Sequence, residues 1–284
     1  MNRFPLLAAL TCVASAAQAG GDDMEHHHAH DQHHMDHAAH DAHALLGTMH
    51  VHDAFVMSLS LLAANYTSPL FEGDYQGGIV GAWYSRGRLG GGASIGAYDI
   101  NKNGRDVTGV GDLMLHGHVT AYQTGDVMLG AMLMVSLPTG NDVDGIGMGH
   151  VMVMPEAWIM YAPGPLALAA SAGYARMQGG AAAHAEHGAP MWPLVDPMYA
   201  QEITFGGTAM YGVAHALGIG VRAAGAVPVG ANTVPVGDSD LRLSVGGRAV
   251  WIAGPVTTTF EVMGGVAGDP FGLRGVLETA LRFN

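Results

Sequence analysis

From about residue 50 onward the chain alternates apolar and mixed positions with a period of two. Between 127 and 137, Val127, Leu129, Ala131, Leu133, Val135 and Leu137 take every second position, with Met128, Met132, Met134 and Ser136 between them. Side chains alternate across a strand, so this spacing sets an unbroken aliphatic face against a mixed one. Over 110–122, Leu113, Leu115, Val119 and Ala121 oppose Asp112, Met114, His116, His118, Thr120 and Tyr122. Over 150–161, Val151, Val153, Ala157, Ile159 and Tyr161 oppose His150, Met152, Met154, Glu156, Trp158 and Met160. Later, Leu241, Leu243, Val245, Ala249 and Trp251 oppose Asp240, Arg242, Ser244 and Arg248. Two places depart from the pattern. The stretch 54–64 is apolar on both faces, and Pro155, which has no N–H to donate, is expected at a bulge or the end of a ladder.

The connections fall into two classes. Short turns are expected at Arg86-Gly87, Thr124-Gly125-Asp126, Pro163-Gly164-Pro165, His215-Ala216 and Gly254-Pro255. Between them lie longer polar connections at 66–77, 98–109, 138–149, 178–201 and 228–238, and a brief one at 268–272. Short and long alternate in strict order, as tight periplasmic turns and longer external loops do in an outer-membrane barrel. The expected fold is all-β: a transmembrane antiparallel up-and-down β-barrel of about twelve strands over 49–284, with both ends periplasmic. A soluble sandwich also has many short strands, but it has no reason to segregate its loop lengths.

Composition narrows the reading further. Charged residues make up 12% of the chain, low for a soluble domain, and glycines number 43. No later run of 18 apolar residues offers a spanning helix, which leaves a barrel as the way to cross a bilayer. A formal charge of −13 argues against a nucleic-acid partner. Residues 1–19 have the positive end, apolar stretch and Ala17-Gln18-Ala19 site of a secretory signal peptide. Cys12, the single cysteine, would leave with it, which excludes thiolate chemistry from the mature chain. Residues 20–48, rich in His, Asp, Ala and Met, have no apolar periodicity and read as a disordered periplasmic tail.

Gly109-Val110-Gly111-Asp112-Leu113 opens one strand, the next hairpin ends in Ser136-Leu137-Pro138-Thr139-Gly140, and a Gly/Asp loop runs from Asn141 to Gly149. This order resembles the family of outer-membrane transporter-like barrels named for the MetA pathway of phenol degradation. The terminal Leu281-Arg282-Phe283-Asn284 is similar to a barrel insertion signal, with its aromatic one place early. The resemblance implies outer-membrane location and transport, linked by the family name to aromatic compounds.

The chemistry-bearing residues point elsewhere. His26, His27, His28, His30, His33, His34, His37, His40 and His43 are nine imidazoles in eighteen residues, with Met24 and Met35 among them. Neutral imidazole is the commonest biological metal ligand, and added thioether tilts the preference toward copper, with zinc or nickel as alternatives. His50 and His52 share a face where the tail meets the barrel. On the inward row, Met114, His116, His118, Met128, Met132, Met134, His150, Met152, Met154 and Met160 could share an ion across strands, although methionine also fills irregular space well. Inward Glu156, Glu202, Glu261 and Glu278 are expected to pair with Arg242, Arg248, Arg274 and Arg282. No HExxH, P-loop or nucleophile elbow appears, so no enzyme activity is expected. His184, Glu186, His187 and Trp192 mark the longest loop as a lid or external metal contact. The leading reading is a metal-handling outer-membrane barrel whose partners are lipid, metal ions and periplasmic metal carriers. The alternatives are a channel for small hydrophobic or aromatic molecules, and a closed structural barrel.

Overall fold

A chain that crosses a bilayer must satisfy its backbone N–H and C=O groups internally, and a sheet joined edge to edge does so. The computed structural model, which describes residues 54–67, 72–142, 144–178, 195, 198–229 and 241–283, forms such a sheet. Its strands are β1 (Ala54–Thr67), β2 (Glu72–Arg86), β3 (Leu89–Lys102), β4 (Arg105–Val110), β5 (Leu113–Gln123), β6 (Val127–Leu137) and β7 (Met152–Tyr161). They continue as β8 (Leu166–Met177), β9 (Gln201–Ala214), β10 (Leu217–Pro228), β11 (Arg242–Ala253), β12 (Val256–Ala267) and β13 (Phe271–Phe283). Neighbours in sequence pair antiparallel, except β4 and β5, and β1 pairs with β13 from Phe55 opposite Phe283 to Tyr66 opposite Phe271, which closes the ring. β3 pairs with β4 through Ala97–Lys102 and with β5 through Leu89–Ser94. These two short strands are halves of one stave broken at Gly111-Asp112, so thirteen strands make a closed barrel of twelve staves.

The five short turns stand where the dipeptides placed them, on the same rim as Phe55 and Phe283. The opposite rim differs from expectation in two places. The stretches 66–77 and 98–109 are, in their described residues, mostly strand, because β1 runs to Thr67, β2 starts at Glu72, and β3 and β4 form a hairpin whose end stands level with Glu72. Asn103 and Gly104 turn that hairpin with φ of 50° and 82°, the positive values a two-residue hairpin turn demands. Polar composition suggested loops there, but strand pairing requires no apolar face where the wall leaves the bilayer.

The aliphatic faces point outward. Leu129 is 38% and Leu133 46% exposed, and Leu59, Val80, Leu115, Ile159, Ile219, Val245, Phe260 and Leu281 are exposed with them. A soluble monomer rarely carries so continuous an apolar belt. One side chain changes face. The β5–β6 register shifts between Thr120 and Tyr122, pairing Tyr122 with outward Leu129. Tyr122 is therefore exposed outside rather than on the inner face that simple alternation assigned it. The bulge at Ala121 inserts the extra residue that reverses the alternation. Pro155 pairs with Leu133 on one side, while the ladder to β8 skips from Val153 to Glu156 with no change of register. The missing N–H interrupts one ladder without making a bulge.

Candidate functional site

Inside, buried side chains gather toward both ends of the barrel. On the loop side, Leu62, Tyr66, Tyr75, Tyr98, Ile100 and Phe271 pack with Ile146 and Val195 from two connections. On the turn side, Met128, Met160, Ala162, Ala167, Met210 and Val250 pack with Trp158. Between them lies a cavity of about 560 Å³ whose two walls differ in chemistry.

One wall is β5–β8. Across β5 and β6, His116 faces Met134 and His118 faces Met132. Across β6 and β7, Met134 faces Met154, Met132 faces Glu156, and Ser136 faces Met152. His116, Met134 and Met154 thus form one rung, with His118, Met132 and Glu156 directly on its turn side. The His116 Nε2 lies 3.2 Å from Ser94 Oγ, and its ring centroid is 5.9 Å from that of Trp83. Glycines give these rings their places. A Cβ at Gly92 would meet the Trp83 ring, and one at Gly90 would meet the His118 ring. The bare backbone of β3 lets both rings lie against the wall instead of filling the lumen.

The other wall is β9–β13 with β1, and it is ionic. Arg242 donates to Glu202 at 2.5 Å, and the same carboxylate accepts the Tyr199 N–H at 3.0 Å. Arg222 Nη1 lies 3.2 Å from both oxygens of Glu261, with Arg248 3.6 Å from the same group. Ser60 donates to Glu278 at 3.3 Å. The guanidinium of Arg242 lies 5.5 Å from the Tyr199 ring centroid, and that of Arg274 lies 5.7 Å from the Phe271 centroid. Buried charges are tolerable only when paired in this way. Of the expected pairs, Glu202 with Arg242 and Glu261 with Arg248 are present, with Arg222 added to them. Arg282 sits opposite Val56 at the exposed turn-side mouth instead. Arg222 could have been found from the alternation of Gly218, Gly220, Arg222 and Ala224 along β10.

The break between β4 and β5 gives the GVGDL and LPTG motifs a mechanical role. Asp112 accepts the Gly140 N–H at 2.8 Å, the Met148 N–H at 2.7 Å and the Ser136 hydroxyl at 3.4 Å. Thr139 Oγ1 accepts the Leu113 N–H at 2.8 Å. A Cβ at Gly140 or Gly147 would crowd the Asp112 carboxylate. One side chain thus folds the β6–β7 connection inward and delivers Ile146 and Met148 to the interior, 3% and 7% exposed.

Of the expected metal ligands, Met114, His116, His118, Met132, Met134, Met152 and Met154 lie together on the inner wall. His150 does not share their strand. It stands in the connection before Met152, where β7 begins. The tail from His26 to His43, the pair His50 and His52, and His184, Glu186, His187 and Trp192 lie outside the described residues. Among the described residues no three His, Cys, Asp or Glu side chains are grouped to hold an ion; the soft side chains on this surface of the lumen are thioethers and imidazoles. Met148, Met177 and Met198 join that surface without having been anticipated. Met177 follows the period of β8, while the other two come from connections that carry no periodic signal.

No family model and no curated protein matches the chain, so the family suggested by its motifs is not established. Solved structures do match. An outer-membrane channel from Pseudomonas putida F1 superposes with a TM-score of 0.61 at 14% identity, covering 82% of this chain and 96% of that one. The NanC porin gives 0.52 at 6% identity over 80% of this chain and 99% of its own. The KdgM porin gives 0.50 at 7% identity over 81% and 99%. The fold is that of outer-membrane channels and porins. At such identities the likeness speaks for architecture alone.

Proposed function

We propose that this protein is an outer-membrane channel that handles transition-metal ions, copper foremost. In this reading residues 1–19 are a signal peptide and residues 20–48 a periplasmic tail. His26 to His43 gather ions, His50 and His52 pass them on, and the lumen row receives them, with periplasmic metal carriers as partners. The observation that carries the reading is the pair of rungs His116–Met134–Met154 and His118–Met132–Glu156 on one lumen wall, in a chain that also bears nine clustered imidazoles. Imidazole serves both oxidation states of copper and thioether favours the reduced one. Replacing the nine tail histidines with alanine is expected to lower copper tolerance and change cell copper content, measured by growth on copper and elemental analysis. Unchanged tolerance and content would refute it.

The cavity favours a second reading. A thioether wall facing paired guanidiniums suits a small organic molecule with an apolar body and an acidic group. If histidine replacement leaves copper handling intact while an Arg222→Met variant alters uptake of small aromatic acids, that reading prevails.

A further inference from the structure

The wall of β5–β8 sorts its bulky residues by type. Every methionine on these four strands faces the lumen, and every leucine, isoleucine and valine faces outward. Packing does not require that division, since leucine and methionine interchange in cores at a cost below ~1.5 kcal/mol. Leucine is also the better-defined filler, because methionine is flexible. Nor does the ordinary polarity of a barrel interior call for methionine. What methionine has and leucine lacks is a soft, polarizable sulfur.

Tertiary structure gathers these sulfurs. Met152 and Met154 of β7, Met177 of β8, Met148 of the Asp112-held connection and Met198 before β9 form one buried cluster, with Met114 and Met134 packed against it. Met114, Met134, Met154 and Met198 also border the cavity. They come from β5, β6, β7 and the β8–β9 connection, so their convergence is a product of the fold and not of local sequence. Thioethers are neutral and soft. A set of them neutralises little charge, which favours a monovalent ion of soft character over a divalent one that would need anionic ligands. Glu156 lines the same cavity and offers a single counter-charge.

We propose that Met114, Met134, Met154 and Met198 form a binding site for a monovalent d10 ion of the Cu(I) and Ag(I) class. The site lies where the cavity meets the methionine cluster. The proposal rests on the transition-metal reading and narrows it to an oxidation state and a ligand type.

Silver(I), which does not change oxidation state, is the probe, added to the purified full-length protein in detergent with Cys12 replaced by serine. X-ray absorption at the silver edge is expected to show sulfur scattering from a saturable site. Replacing the four methionines with leucine preserves volume. It should remove the sulfur shell and weaken binding at that site by at least about tenfold, or ~1.4 kcal/mol, leaving nitrogen-ligated silver on the histidines. The M134L/M154L pair, whose residues face each other across β6 and β7, should show the same loss if the quadruple variant does not fold. Met210→Leu, buried in the turn-side cluster, should change nothing. Absence of sulfur scattering from the parent protein, or its survival in a folded quadruple variant, overturns the site. In the nine-histidine variant, a retained sulfur shell with unchanged copper tolerance would sink the tail's role and leave the thioether site standing.

Discussion

Asp112 holds an entire connection with one carboxylate. Its two bonds to backbone N–H groups, at 2.8 and 2.7 Å, are charge-assisted, a class worth roughly 1.5–3 kcal/mol each. Asp112→Ala is therefore expected to release the 138–151 connection and withdraw Ile146 and Met148 from the lumen. Planar-bilayer recordings should show higher single-channel conductance, and limited proteolysis should cut within that segment. Equal conductance would mean that the connection does not constrict the passage. Glu202 is a second single-residue lever. Deleting one partner of a buried ion pair costs about 3–5 kcal/mol, whereas replacing both partners by apolar residues can be neutral. Glu202→Leu should thus lower thermal stability sharply, and adding Arg242→Met should restore most of it. An undiminished loss in the double variant would show that the Tyr199 contact, not the guanidinium, is what Glu202 secures.

At the scale of elements, β3 works through what it lacks. Its inward Gly90 and Gly92 leave room for His118 and Trp83, which keeps aromatic bulk out of the lumen. Gly92→Val would force Trp83 off the wall. The expected cost is about 1–3 kcal/mol, visible as a lower melting temperature and a changed tryptophan emission. The elements also show where alternation misleads. Tyr122 changes side because one extra residue at Ala121 resets a period of two. The stretches 66–67, 72–77, 98–102 and 105–109 are strand although their composition is that of loops, because backbone pairing sustains them and Tyr66, Tyr75, Tyr98 and Ile100 pack inside.

For the molecule as a whole, two kinds of candidate ligand differ in their response to acid. Imidazole must be deprotonated to bind metal, so the tail should lose Cu(II) as pH falls through about 6.5. Thioethers carry no competing proton, and a methionine site should hold Ag(I) through the same range. Calorimetric titration of the full-length protein at about pH 7.5 and about pH 5.5 should find histidine-dependent binding weakened and sulfur-dependent binding kept. Parallel loss of both would tie the inner site to His116 or His118 instead. The charges bordering the cavity come close to balance, with Glu156, Glu202, Glu261, Glu278 and Asp269 against Arg222, Arg242, Arg248 and Arg274. Their role is to hold the interior together more than to impose one sign of charge.

The sequence by itself determined the two-faced strands, the alternation of short and long connections, and the inward row of methionine and histidine, because all three follow from a side-chain period of two and from turn residues that act locally. It also contains the imidazole tail, whose chemistry needs no fold. Tertiary structure decided which sulfurs meet, which carboxylate takes which arginine, and what the GVGDL and LPTG motifs do. Met148 and Met198 belong to irregular segments, Arg222 and Glu261 lie on different strands, and Asp112 bonds to groups 28 and 36 residues away. Such contacts depend on barrel closure and on how its connections fold inward, and local periodicity carries no record of either.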